Sequence, residues 1–559
     1  MDRWVLLLPL LPVLSALLVG GLGRAWGQRV GRLSVGFAVL SLLLAGALLL
    51  LALSGQARAL HAAGLAAGSL LFDPLGVLMA TLIAGIGLIV RVYSLRYMVE
   101  EAGYARFFLL LDLMTAALFV MVAAGDLITL LIAWHLVGVL LYFLLGHDLQ
   151  SQAAHRYALW TFFTYRVGDL PLVLAAILLY QGFGTWSIPA LFDALAAQPD
   201  ATTHFDLPLA GTVAVLIAFS AFARSAQFLL HTWLPYTMDG PTPVSALMHA
   251  GIVNAGGFLI NRFAPVFVHT GEVLHWMFVV GLVTAVIGSV LMLTQNDVKK
   301  SLGYSTMGQM GFMVMETGVG AFSLAVYHLI AHGLFKGTLF LGSGDAIHRA
   351  RRHDGVPKDE LYTFMFHREP ERVRRPWLPM AAVTVAVPIV VLALVHWLVA
   401  ENFFENQGAV VLLFFGWVAG AQLLFSVYRM RSQNPLRLFA LIVLSFVIVV
   451  VGYTIVSHAF DRFLYPDPAF RAGIYQAAGI GLAWFDVLVA LMAAVIVMGW
   501  VRVYRAERGQ GAGPRRRGAL WMNFYALISR EFYVADIYAW LGQKLLAVSA
   551  RLNALLRWA

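Results

Sequence analysis

Three titratable side chains, His328, His332 and Lys336, recur at i, i+4 and i+8 in the apolar run between Phe322 and Phe340. Successive four-residue steps drift only about 40° around a helix, so the three share one stripe. Arg224, His231, Asp239 and His249 lie in a second apolar stretch, between Ala221 and Ile260. A charge at the centre of a bilayer costs roughly 2.5–3.5 kcal/mol on insertion scales. Ionisable groups aligned in such segments therefore point to a route for protons or other cations. Histidine changes charge close to neutral pH, which suits it to proton relay. A hydrogen-bonded structural network between helices is the competing reading of the same stripe. Zinc suits it less well, because no third ligand is near in sequence and a neighbouring lysine repels the metal.

The elements that carry these groups must be membrane helices. The 559 residues are 61% hydrophobic and 12% charged, with a mean hydropathy of +0.81. A water-soluble surface needs about twice that charged fraction. Runs of about 20 apolar residues, each long enough to cross a 30 Å hydrocarbon core, follow one another along the chain. The pattern predicts an all-α polytopic membrane protein of about fifteen transmembrane helices. The first run has no small-residue cleavage site and reads as a retained helix rather than a signal peptide. Arg24, Arg29, Arg32, Arg91, Arg96, Arg106, Lys299, Lys300, Arg429 and Arg431 all fall on one side of that zigzag, and acidic or neutral loops on the other. The positive-inside rule then puts the N-terminus in the periplasm and the C-terminus in the cytoplasm of a bacterial inner-membrane protein. That bias explains the net charge of +9 without nucleic acid.

Two sets of five spans each contain a polar or Gly/Pro-interrupted segment, the plan of inverted-repeat transporters with broken helices. The organisation predicted is N-terminal helices over 1–106, a first five-helix repeat over 107–268 and a second over 269–430. C-terminal helices follow over 431–505, then a basic linker and an amphipathic helix over 506–559. Gly240, Pro241 and Pro243 mark the helix break in the first repeat, in a position where backbone groups must face protein rather than lipid. The charged segment 344–375 is long enough to dock a protein, and the tail suits a membrane surface or a partner, or a sixteenth span. With no cysteine, disulfides, thiolate metal sites and iron–sulfur clusters are excluded. No glycine-rich phosphate loop or nucleophile elbow occurs either. The expectation is a transport subunit without cofactor or catalytic residue of its own.

Seven blocks in order, FDPLGVLM, RVYSLRYM, GYARFF, YRVGDLPL, SAQFLLHTWLPYTMDGPTPVSALMHA, TQNDVKKSLGYSTMGQMGFM and YHLIAHGLFKGTLFL, resemble the antiporter-like proton-translocating subunits of respiratory complex I (the NuoL type) and Mrp antiporters. The resemblance implies a cation path along the membrane midplane. It assigns to that path His249, Lys300, which follows the D-x-K motif of Asp297, and the stripe His328, His332 and Lys336. Arg166 and Asp169 match the family's charged pair in the sixth span. Three departures stand out. Histidine, His135, follows Trp134 where the family has glutamate; Arg224 replaces a lysine; and residues 376–410 contain no lysine. Arginine stays charged and does not hand over its proton, so the first-half switch is chemically replaced, with Arg224 in need of a carboxylate the sequence does not identify. His135 is placed to accept protons in place of the glutamate, or simply packs beside Trp134.

These departures resemble the DabB branch, the membrane subunits of DAB-type inorganic carbon transporters. That resemblance implies a soluble, zinc-dependent, carbonic-anhydrase-like partner of the DabA kind on the cytoplasmic face, with carbon dioxide hydrated there at the expense of cation entry. A complex I or Mrp-type proton-translocating subunit, and a non-conducting membrane anchor for a cytosolic enzyme, are the other readings.

Overall fold

The computed structural model describes residues 5–55, 60–62, 69–237, 240–352, 458–479 and 519–557, with a few isolated positions besides. The predicted spans 376–399 and 409–428, nearly all of 437–457 and 479–500, most of segment 344–375, and Asp239 lie outside the described residues. What is described is almost all helix. In chain order come α1 (Leu7–Trp26), α2 (Arg29–Leu53), α3 (Pro74–Tyr97), α4 (Tyr104–Val122), α5 (Leu127–Leu145), α6 (Gln152–Phe183), α7 (Ile188–Ala197) and α8 (Leu209–Arg224). After a one-turn α9 (Trp233–Tyr236) follow α10 (Thr242–Ala250), α11 (Ala255–Arg262), α12 (Ala264–Phe267), α13 (Gly271–Met292), α14 (Val298–Gly318) and α15 (Phe322–Arg352). Further on lie α16 (Pro468–Ala477), α17 (Ala519–Ser529) and α18 (Val534–Leu556). The small exception is an antiparallel pair, β1 (Leu60–Ala62) and β2 (Leu70–Phe72). Among the described residues nine helical stretches are long and apolar enough to cross a membrane. The chain is a polytopic membrane protein.

Polar caps set where helices begin. Asp73 accepts from the Gly76 amide at 2.8 Å, with Pro74 at the first helical position of α3. Asp126 caps α5 through Thr129, Ser151 caps α6 through Ala154, and Asp297 caps α14 through Lys300. Each supplies an acceptor to an amide that a helix start leaves unpaired. Asp73 also takes both arms of Arg262, which ties the start of α3 to the end of α11.

A buried network joins the first four helices. Asp112 on α4 accepts from Ser15 (2.6 Å), from Ser34 (2.7 Å) and from Arg91 Nε (2.9 Å) and Nη2 (2.8 Å). Arg91 also donates to Thr115 and the Gly87 and Leu111 carbonyls, so each nitrogen of a guanidinium on a residue with 1% exposure has a partner. Elsewhere small residues let helices approach, as lipid provides no hydrophobic drive between them. A Cβ on Gly311 of α14 would stand 2.4 Å from the Ala285 amide nitrogen, and one on Gly281 of α13 only 2.5 Å from that of Met315.

The helix break starts earlier than the Gly/Pro signal implied. α8 stops at Arg224, and α10 does not start until Thr242. Pro243 falls in the first turn of α10, where a missing N–H costs nothing, so it opens the helix rather than breaking it. Between the two, Ala226 and Leu229 hold left-handed backbone (φ 48° and 74°). Groups freed by the break find partners inside the protein. The Gln227 amide donates to the Phe222 carbonyl, the Phe228 amide donates to Thr284 Oγ1 at 3.0 Å, and Ser225 Oγ donates to the Val253 carbonyl at 2.8 Å. A second interruption follows at Gly251, and α10 and α11 on either side of it are almost wholly buried. Two further expectations change. α15 continues to Arg352, so the charged segment 344–375 opens as helix. The tail is two helices with a sharp join, because Glu531, Phe532 and Tyr533 leave helical geometry (φ 55°, 58° and 58°).

Candidate cation pathway

α14 and α15 run antiparallel, and their facing residues form a polar file. On α14, Ser305, Gln309 and Glu316 are spaced four and seven apart and share one face, as do His328, His332 and Lys336 on α15. At 1.5 Å per residue the α15 groups cover about 12 Å of helix axis. Glu316 sits 3.1 Å from His328 Nδ1, and Gln309 Oε1 sits 2.9 Å from His328 Nε2. An imidazole facing an oxygen at each nitrogen donates to both as imidazolium, while turning the Gln309 amide serves the neutral ring. Either protonation state of His328 thus has partners. His332 comes next along the file, its ring 6.3 Å from that of His328. It is 5% exposed, and neither ring nitrogen has a hydrogen-bond partner among the described residues. Lys336, 1% exposed, donates from Nζ to Ser305 Oγ at 2.7 Å. One residue beyond Ser305, Thr306 stands 3.2 Å from His249 Nδ1 and donates its own hydroxyl to the Leu302 carbonyl. That leaves the Thr306 oxygen free to accept from His249, whose ring stacks on Phe340 at 4.1 Å.

The structure therefore brings His249, His328, His332 and Lys336 together and adds Glu316, Gln309, Ser305 and Thr306, which sequence reasoning had not singled out. Glu316 had a signal. It is a lone carboxylate near the end of a span, twelve residues before His328.

A second cluster forms where α5, α6 and α8 meet. Arg224, with no exposed surface, donates to the Trp134 carbonyl (2.5 Å) and to Asp169 Oδ1 (3.3 Å). Its guanidinium carbon lies 4.5 Å from the centre of the Trp134 ring and 4.1 Å from that of Tyr165. Asp169 is the carboxylate that Arg224 required. It is shared, since Arg166 lies 2.8 Å from Oδ2 and His135 Nδ1 3.2 Å. The Arg166–Asp169 pair is thus one side of a four-residue cluster rather than a self-contained neutral pair. His135 touches both Arg166 and Asp169, but its side chain is 54% exposed on the flank of the chain, outside the buried file.

Lys300 belongs to neither cluster. Its amide is capped by Asp297, and its ammonium pairs with Glu531 of the C-terminal segment, 4.5 Å from the centre of the Tyr236 ring. Gly240 and Pro241 close the irregular stretch just before α10.

With this geometry in place, the likeness to known proteins is informative. Residues 124–421 match the profile of the NADH:quinone oxidoreductase/Mrp antiporter transmembrane family, and residues 66–108 that of the N-terminus of complex I chain 5. A protein of Halothiobacillus neapolitanus named "Probable inorganic carbon transporter subunit DabB1" is 59% identical over 99% of both chains. This chain belongs to the DabB branch of that antiporter-like family.

NAD(P)H-quinone oxidoreductase chain 5 of a Picosynechococcus species is 34% identical over 64% of the chain, which spans only 54% of that longer relative. The fold is shared with a chain in the structure of the Mrp complex from a Dietzia species. The TM-score there is 0.58 at 22% identity, over 99% of this chain and 63% of the other.

Proposed function

We propose that this DabB-family chain is the cation-conducting membrane subunit of an energy-coupled inorganic carbon uptake complex, with the proton as the cation. The observation that carries the reading is the file from Glu316 through His328 and His332 to Lys336 and His249. Titratable groups follow one another there, each buried or half-buried, with hydroxyl and amide groups between them that accept and donate by rotating. The likeness to a protein named as an inorganic carbon transporter subunit over nearly its whole length supports the substrate class. Hydration of carbon dioxide belongs to a soluble zinc-dependent partner of the DabA kind on the cytoplasmic face, because this chain has no cysteine and its i, i+4 histidine pair, His328 and His332, has no third ligand near in sequence and a lysine beside it. The chain lies in the bacterial inner membrane, N-terminus outside, with two inverted five-helix repeats, 107–268 and 269–430, within about fifteen spans. His135, Arg166, Asp169 and Arg224 form the first-half station, where charge is held, and the α14–α15 file forms the station where protons move.

The test is proton flux and inorganic carbon uptake by the complex carrying Lys336→Ala or His332→Ala. Both are expected to fall at least tenfold with the chain still inserted and assembled. Normal carbon-limited growth of cells carrying either variant would sink the relay. Co-purification then identifies the assembly. A soluble zinc protein supports the carbon-uptake reading, while quinone- and NADH-linked subunits would replace it with a respiratory one.

A further inference from the structure

The C-terminal segment enters the membrane domain at an unusual point. Glu531, Phe532 and Tyr533 all carry left-handed backbone. That conformation is strained for a non-glycine residue, and three in a row persist only where surroundings over-determine them. Here the surroundings are the helix break and the first turns of α14. Glu531, 5% exposed, accepts from Tyr236 Oη at 2.6 Å and pairs with Lys300. Phe532 meets the Phe228 ring edge-on at 5.8 Å. Tyr538 donates to the Leu229 carbonyl at 2.7 Å, and its ring stacks on Trp160 at 5.7 Å. Phe228, Leu229 and Tyr236 all lie in the interrupted stretch between α8 and α10.

Beside Glu531 lies an unused titratable group. His231 has no exposed surface, stacks on Phe228 at 5.7 Å and stands 6.1 Å, ring to ring, from Tyr304. Neither His231 nitrogen has a hydrogen-bond partner among the described residues. Leaving such a group buried and unpaired is costly, a cost explicable where the group exchanges protons. The groups facing Glu531 are Lys300 and Tyr304 of α14, Tyr236 of α9 and His231 of the break, with Arg530 and Asp536 on its own segment.

We propose that Glu531 is a proton-exchange residue of the pathway, delivered by the C-terminal segment to the Lys300 end of α14. The proposal rests on the proton-pathway reading above. The Glu531 carboxylate takes a proton from water on that face, becomes neutral and lets go of Lys300. The proton passes by way of water to a His231 ring nitrogen, and the restored carboxylate pairs with Lys300 again. No electrons move, and the site is ready for the next proton once His231 has passed this one on into the pathway.

The experiment reconstitutes the full chain, in its native assembly, into vesicles that enclose a pH-sensitive dye, and follows flux across pH 5.5–8.5. Glu531→Gln keeps the shape and the Tyr236 contact but not the exchangeable proton. It is expected to assemble at wild-type level with flux reduced at least tenfold and its pH dependence flattened. Glu531→Asp, which retains a carboxylate, is expected to keep a third or more of the flux. Wild-type flux in Glu531→Gln overturns the proposal, as does parallel loss of flux and of assembled chain in both variants, which reduces Glu531 to a latch. Absence of flux in the wild-type assembly overturns the pathway reading itself, a result distinct from either.

Discussion

The cluster around Asp169 makes an asymmetric prediction about stability. Arg224→Ala removes a buried cation, yet Asp169 keeps Arg166 at 2.8 Å and His135 at 3.2 Å. Asp169→Ala removes the carboxylate that Arg224 needs and leaves its guanidinium, with no exposed surface, only the Trp134 carbonyl and two ring faces. Uncompensated burial of one partner of an ion pair costs about 3–5 kcal/mol. Loss of one hydrogen bond to a charged group costs roughly 1.5–3 kcal/mol. Asp169→Ala is therefore the worse variant by about 1–2 kcal/mol, a margin that follows from those two ranges. The double variant should recover part of the loss, because no buried charge is orphaned. Arg224→Lys keeps the ion pair but gives up the planar fork and much of the ring stacking, for a loss of about 1–2 kcal/mol. The assay is thermal unfolding of the purified complex in mild detergent, with membrane abundance beside it. If Arg224→Ala and Asp169→Ala lose equal stability and the double variant is additive, Asp169 is not what holds Arg224.

Two further outcomes follow from the file. Glu316→Gln leaves His328 with neutral oxygens alone, and flux is expected to drop about tenfold while Glu316→Asp retains a measurable part; unchanged flux in Glu316→Gln removes Glu316 from the path. Gly311→Val has to push α13 away from α14, where even a Cβ would meet the Ala285 amide nitrogen at 2.4 Å. Overpacking of this kind costs roughly 1–3 kcal/mol, read as lower detergent stability, and wild-type stability would mean the helices are not so close.

What was legible in the sequence depended on distance along the chain. The stripe on α15 was readable because one helix converts i, i+4, i+8 into a shared face, and no other element is needed to see it. Helix starts were readable where a cap precedes an apolar run, as at Asp297. Partnerships between helices were not. Arg224 and Asp169 are 55 residues apart, and no local pattern pairs them. Lys300, placed on the path by the family resemblance, is engaged by a carboxylate from the last tenth of the chain, held by left-handed backbone in a Glu-Phe-Tyr sequence that advertises none. The break at Arg224 was similarly silent, since Ser225, Ala226 and Gln227 carry no breaker signal, while the proline that seemed to break the helix begins one.

The two clusters differ in the kind of charge they hold, and the difference bears on mechanism. In the first, both cations are arginines, and one carboxylate is shared between them. Guanidinium keeps its proton at any cellular pH, so this cluster changes state by moving charge or by changing its partner, not by releasing a proton from Arg224. His135 is its one imidazole, and it sits at the exposed flank. In the second, the cation is a lysine whose described partner is a hydroxyl, Ser305, followed by an unpaired imidazole, His332. A neutral partner stabilises ammonium far less than a carboxylate does, and a hydroxyl accepts from the ammonium or donates to the amine equally well. Proton release is therefore chemically accessible at Lys336 and closed at Arg224. On the proposed reading, the α5–α6–α8 cluster supplies a fixed field, and the α14–α15 file does the transfer. Exchanging Arg224 for lysine should accordingly leave the pH dependence of flux in place, whereas Lys336→Arg should abolish flux while preserving charge and insertion. Flux retained in Lys336→Arg would mean that the file needs a positive charge at that position and no exchangeable proton.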